Sequence, residues 1–220
     1  MQPLPSGLEQ FDCSYSNILG GLVDENFQTA PNLNYVFLSG ATFDTTVPPI
    51  FGQLTNLEFL YLSEAFIRGD LSYMEGMPKI FEHWIDINPD LGGRLPTFLG
   101  NLFFLESFSV TASQLTGPIP SELGNLESMR QMWFYENSLT GQIPTELGNL
   151  RALKLLQIQD NNLAGGIPDE LCARVSNPFN PLDQLGADCS TLSVSVVSSI
   201  IWILVKFFEL CCYRHIFFVF

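Results

Sequence analysis

Large apolar residues recur along this chain at a fixed interval. From Leu123 to Glu146 it reads LGNLESMRQMWFYENSLTGQIPTE, and from Leu147 to Glu170 it reads LGNLRALKLLQIQDNNLAGGIPDE. The two 24-residue segments share Leu-Gly-Asn-Leu at the start, an asparagine at Asn137 and Asn161, and Gly-x-Ile-Pro near the end. The general form is L-x-x-L-x-L-x-x-N-x-L-x-G-x-I-P. It puts its first apolar position at Leu8, Leu33, Leu57, Phe81, Leu105, Met129 and Leu153, a spacing of 24 with one extra residue between the first two. Seven repeats fit. A constant period of this length is the signature of a solenoid.

Every unit predicts the same path. Within it, x-x-L-x-L alternates with period two, a short strand that buries two side chains and exposes their neighbours. Gly-x-Ile-Pro then carries the chain around the outside, where Gly117 and Gly141 permit a tight backbone and Pro120 and Pro144 fix φ and suppress helix. One unit cannot bury its apolar edge alone, so the units stack into a continuous core.

Gly-x-Ile-Pro-x-x-Leu-Gly-x-Leu, present at Gly117–Leu126 and Gly141–Leu150, resembles the plant-type leucine-rich repeat. That repeat is familiar from receptor-like kinase ectodomains, polygalacturonase-inhibiting proteins and related algal proteins. The resemblance runs from about Leu8 to Cys189 and is specific in the last three repeats. It implies an α/β-type right-handed solenoid with a parallel β-sheet on its concave face and short 3-10 or loop segments on its convex face. It also implies a recognition role for peptides, proteins or glycans outside the cell.

The organisation that follows is a solenoid over residues 1–171, a C-terminal cap over 172–190 and a hydrophobic tail over 191–220. The earlier repeats depart from the consensus. Their asparagine position holds Ser16, Ala41, Ala65, Pro89 and Ser113. Repeat four is the weakest, because Asp86 falls where a buried aliphatic residue belongs. Burying that carboxylate unpaired would cost several kcal/mol, roughly, so a bulge is expected there, with Ile85 or Ile87 turned inward. With repeat one beginning at Leu8, no room is left for a cysteine-bearing N-terminal cap, which suggests a fragment or a misplaced start. Cys13 takes an inward position and reads as a small core residue. Cys172 and Cys189 resemble the cysteine pair of a C-terminal leucine-rich-repeat cap, and a bridge closing that loop would contribute roughly 3 kcal/mol; two free buried thiols are the alternative.

The tail changes character abruptly. Leu192–Tyr213 is long enough for a membrane-spanning helix of about 20 residues, with Lys206 and Glu209 close enough to pair and Arg214 and His215 as a weak positive flank. That orientation leaves the solenoid outside, at the membrane or extracellular, and makes Cys211 and Cys212 candidates for palmitoylation. A helix packed on the solenoid end and translated non-coding sequence stay open beside it. The N-terminal MQPLPSGLEQF shows no signal peptide.

Charge narrows the partners. The chain carries 23 acidic and 9 basic residues, a net charge of −14, which repels nucleic-acid backbones. No cysteine or histidine spacing fits a metal, and no phosphate loop, nucleophile elbow or kinase motif occurs, so neither cofactor nor enzyme is expected. What remains is the concave face. Its exposed positions are expected to present Tyr35, Phe37, Phe59 and Tyr61 as one patch and Trp133 and Tyr135 as another, with His83 between them and Glu58 and Glu136 among the surrounding acids. Rows of exposed aromatics suit a protein, peptide or glycan ligand. A truncated repeat scaffold with no ligand of its own is the other reading.

Overall fold

The computed structural model describes residues 3–16, 22–175 and 181–187. Three-residue strands, one per repeat, form a single parallel sheet: Gln10–Asp12, Tyr35–Phe37, Phe59–Tyr61, Glu82–Trp84, Ser107–Ser109, Gln131–Trp133, Leu155–Gln157 and Gln184–Gly186. The eighth strand extends the sheet past the seventh repeat, so the edge of repeat seven is covered. A second parallel sheet of six strands, from Thr45–Thr46 to Asn162–Ala164, lies beyond the turn that follows each concave strand. Between it and the next repeat run 3-10 turns, such as Ser121–Asn125 and Thr145–Asn149, each preceded by its consensus proline. Together these features make the fold a leucine-rich-repeat solenoid. The second sheet is the part that the repeat pattern alone does not announce.

The consensus apolar positions converge on one continuous core. Leu33, Leu57, Leu105, Met129 and Leu153 have no exposed surface, and neither do Val36, Leu60, Phe108, Met132 and Leu156 one strand step later. Phe27 packs on Phe51 at 4.7 Å between ring centroids, and Phe108 meets Phe134 edge-on at 5.4 Å. Convex turns stack just as closely: a Cβ on Gly76 would collide with the carbonyl oxygen of Gly52 in the preceding turn. Cys13 is a free, half-buried thiol packed against the core, as its inward position predicts. Burial, and then the neighbouring Asp12 charge, push its pKa up.

The bend from strand to second sheet needs a partner for backbone that no strand reaches. Asparagine supplies it. The Asn137 side chain donates to the carbonyls of Val110, Phe134 and Tyr135 and accepts from the Leu115 amide at 3.0 Å. Asn161 donates in the same way to Phe134, Ile158 and Gln159, and accepts from Leu139. A third such residue is Asn88, which accepts from Ala65 and Ile67 and donates to Leu62, Ile85 and Asp86.

Asn88 corrects the register of repeat four. Strand pairing joins Phe59 to Glu82 and Glu82 to Ser107, steps of 23 and 25 rather than 24 and 24. Gly69 is followed two residues later by the cap of the next turn, Leu71, where Gly117 has three to Pro120. Leu91 follows Asn88 by three residues, where Leu139 follows Asn137 by two. The lost residue before the strand is regained after it. The first apolar position is therefore Ile80, fully buried, and not Phe81; the asparagine position is Asn88, and not Pro89. Ile85 does turn inward, while Ile87 is 51% exposed, and the cause is this frame shift rather than a bulge.

The C-terminal helix Asp169–Val175 closes the described solenoid. From it, the buried Arg174 donates to the carbonyls of Leu150 and Leu153, each at 2.5 Å, and so satisfies the turn that no further repeat covers. The expected partner of Cys172, Cys189, and the whole of Leu192–Tyr213 lie outside the described residues. Among the described residues no helix is long and apolar enough to cross a membrane.

Replacing Asn88 by Ala strands the buried amides of Ala65 and Ile67 and leaves buried carbonyls without a donor. The expected loss is about 2–4 kcal/mol, read as a lower urea midpoint at unchanged slope. An unaltered midpoint would show that the asparagine is dispensable.

Candidate ligand-binding face

Side chains that alternate with the buried ones project from the concave sheet in rows, because paired residues on neighbouring parallel strands stand about 4.8 Å apart. That spacing is close to the thickness of stacked rings, so aromatic residues at equivalent positions pack on each other. In the first row Tyr35 stacks on Phe59 at 4.9 Å and 11°. In the second, Phe37 meets Tyr61 at 4.9 Å, Tyr61 stacks on Trp84 at 4.9 Å and 15°, and Trp84 meets Trp133 at 6.3 Å and 78°. Tyr35 and Phe37 link the rows at 6.3 Å. All of these rings keep solvent-accessible surface, and Trp84 is 37% exposed.

The two expected patches are thus one stripe, and the residue that joins them is Trp84. The uniform 24-residue frame hides it by reading Ile85 as the exposed residue. Taking Ile80, Ile85 and Asn88 together as the consensus positions brings Trp84 out. Trp84 and Trp133 approach each other across a strand whose outward residues are small. Ser107, Ser109 and Thr111 point toward the face, yet each is buried beneath its larger neighbours. The Trp84 indole N–H donates to Ser107 Oγ at 3.0 Å, which fixes the ring over that strand.

Carboxylates border the stripe. Glu82 accepts the Tyr61 hydroxyl at 2.6 Å; burial first, then this bond and the Glu82 charge, raise the Tyr61 pKa well above its usual value. Asp86 accepts from Ser109 Oγ at 2.6 Å and the Thr111 amide at 2.8 Å, so the carboxylate expected in the core sits on the face with its partners. Glu58 is half-buried in the row that also holds Phe81 and Glu106, and Arg130 pairs with Glu106 at 2.6 Å. Tyr135 is half-buried at the end of its strand, and Glu136 is exposed on the rim, in the left-handed region at φ 55°.

His83 does not belong to this face. The frame shift turns it inward to the position of Leu60 and Phe108, where it has no exposed surface. Its Nδ1 lies 2.8 Å from the Leu60 carbonyl, which requires a proton on that nitrogen. Nε2 is then the acceptor for the Tyr73 hydroxyl at 2.6 Å. Phe108 stacks on the ring at 5.9 Å and 17°. Both imidazole nitrogens are satisfied in the neutral form, and burial lowers the His83 pKa to about 4. Burial, and then the Asp70 charge, hold the Tyr73 phenol protonated. The pair is a polar core contact, buried beneath the concave sheet.

No family model matches the chain, and no curated protein matches it. Solved structures do. The leucine-rich-repeat ectodomain of the receptor kinase GASSHO1/SCHENGEN3 from Arabidopsis thaliana, in complex with CASPARIAN STRIP INTEGRITY FACTOR 2, is 35% identical with a TM-score of 0.62, over 64% of this chain and 17% of that one. A TDR receptor is 27% identical with a TM-score of 0.70, over 78% and 31%. The Arabidopsis receptor kinase HAESA, in complex with the peptide hormone IDA and the co-receptor SERK1, is 26% identical with a TM-score of 0.58, over 73% and 31%. The chain therefore spans less than a third of the length of each of these ectodomains. Fold, consensus and neighbours make it a leucine-rich-repeat protein of the plant type. Among these neighbours the architecture belongs to plant receptors, two of them in complex with a ligand.

The neutral state of His83 fixes a pH dependence. Its folded pKa lies below the unfolded value of about 6.5, so the unfolded chain takes up the proton first. Stability is complete above about pH 6.5 and is lost as the pH falls toward 4, by roughly 3 kcal/mol. Urea midpoints compared at pH 7 and pH 5 should separate wild type from His83→Leu combined with Tyr73→Phe, with only the wild type losing about 2 kcal/mol between the two pH values. Parallel pH profiles would contradict a His83 held neutral by burial.

Proposed function

We propose that this solenoid is a recognition module for a peptide or protein, held on its concave face by the aromatic stripe. The observation that carries the reading is the unbroken contact from Phe37 through Tyr61 and Trp84 to Trp133 on an open, rigid sheet. Rigid aromatic side chains present large contact areas at small cost in conformational entropy and dominate binding hot spots. Eight strands span about 34 Å, a length that suits an extended chain better than a small metabolite. The neighbours support the same class of partner, since GASSHO1/SCHENGEN3 and HAESA are each in complex with a ligand. A scaffold without a ligand gives no reason for the stripe.

The module is placed outside the cell in this reading. A Cys172–Cys189 bridge closes its C-terminal cap, in keeping with Cys172 not being a free thiol, and Leu192–Tyr213 tethers it to a membrane.

Selecting a displayed library of random 12-residue peptides on the full chain tests the face. Selected peptides should bind Tyr61→Ala and Trp133→Ala at least tenfold more weakly by calorimetry, while Phe103→Ala, away from the stripe, leaves affinity unchanged. Equal affinity for all three variants would sink the assignment.

A further inference from the structure

The charge around the stripe is lopsided. Glu58, Glu82, Asp86 and Glu106 stand in its rows, and Glu136 and Asp160 on its rim. Against them the same rows carry two bases, and both are engaged: Arg130 on Glu106, and Lys154 on the Pro181 carbonyl at 3.3 Å. The Glu58 carboxylate has no hydrogen-bonded or ionic partner among the described residues, and Glu82 commits one carboxylate oxygen to Tyr61. Among such carboxylates the electron-rich ring faces favour a cation over a neutral or anionic group. The near-perpendicular indoles of Trp84 and Trp133 make a corner across Ser109, a shape that would accept a flat guanidinium on one ring face.

We propose that the occupant of this face is a cationic extended peptide whose arginine or lysine side chains lie over the Tyr61–Trp84–Trp133 stripe with Glu58 and Glu82 as counter-ions. This rests on the concave face being the binding surface and adds the chemistry of what binds there. The aromatic rings supply contact area that any extended ligand can use. The surplus carboxylates select among such ligands, repelling acidic ones and leaving neutral ones without a return for displacing water from charge.

The test uses the same displayed library and the full chain. The selected pool should be enriched in arginine and lysine over the input. Replacing arginine by citrulline in the tightest peptide keeps its shape and removes its charge, and should weaken binding at least fivefold. Glu58→Gln and Glu82→Gln should each weaken the parent peptide and leave the citrulline peptide unaffected, and raising NaCl from 50 to 300 mM should weaken the parent more than the citrulline form. A pool without basic enrichment whose binding still depends on Trp133 would overturn the cationic occupant and leave the concave face standing. Binding that is indifferent to Trp133 as well would overturn both.

Discussion

A solenoid turn has to satisfy backbone groups that point neither into a strand ladder nor into water, and here one side-chain amide does so. Each consensus asparagine spans its own turn and the one before it, so two repeats are tied by a single residue whose hydrogen bonds are all made to main chain. The amide supplies two donors and an acceptor together, where a hydroxyl has a single donor and an aliphatic side chain has neither. Where it is missing, neighbours take over: Asn88 serves the amide of Ala65 as well as that of Ile67, and Ser113 reaches only as far as the Thr111 carbonyl. The spacing of the strands, and with it the stacking of every ring on the concave face, follows from how firmly successive turns are held.

Much of this was legible in the residues. Leucine periodicity and the Gly-x-Ile-Pro turns specify which side chains go inward in repeats five to seven, and those positions are buried as read except for Leu163 and Ile167, which are half-buried in the last repeat. Repeat four was misread because a fixed period assumes that every turn has the same length. The chain lets one turn be shorter and the next longer, since the sheet requires equal strands and tolerates unequal loops. Asn88 carried the correct frame in its own identity, but Pro89 at the nominal position obscured it. Burial of Ser107 and Ser109 was not legible at all, because it depends on two tryptophans from flanking strands leaning over them.

The stripe shows how repetition becomes a site. No single repeat holds more than a few rings. Strand spacing alone brings Tyr35 onto Phe59 and Tyr61 onto Trp84 in near-parallel stacks. Small residues at Ser107 and Ser109 interrupt the row without breaking it, since the larger rings close over them. Exposure and order coexist here because each ring is held by its neighbour rather than by the core.

Identical repeats carry an ambiguity that most folds never face: one unit fits its neighbour's berth almost as well as its own. The His83–Tyr73 contact removes it. A short turn brings Tyr73 to the one strand that offers an imidazole acceptor, and the consensus leucine of any other repeat would leave that hydroxyl buried and unanswered. The chain thus carries a watermark at its middle, a spot where a slip by a whole repeat is refused and from which the remaining turns can be counted in both directions.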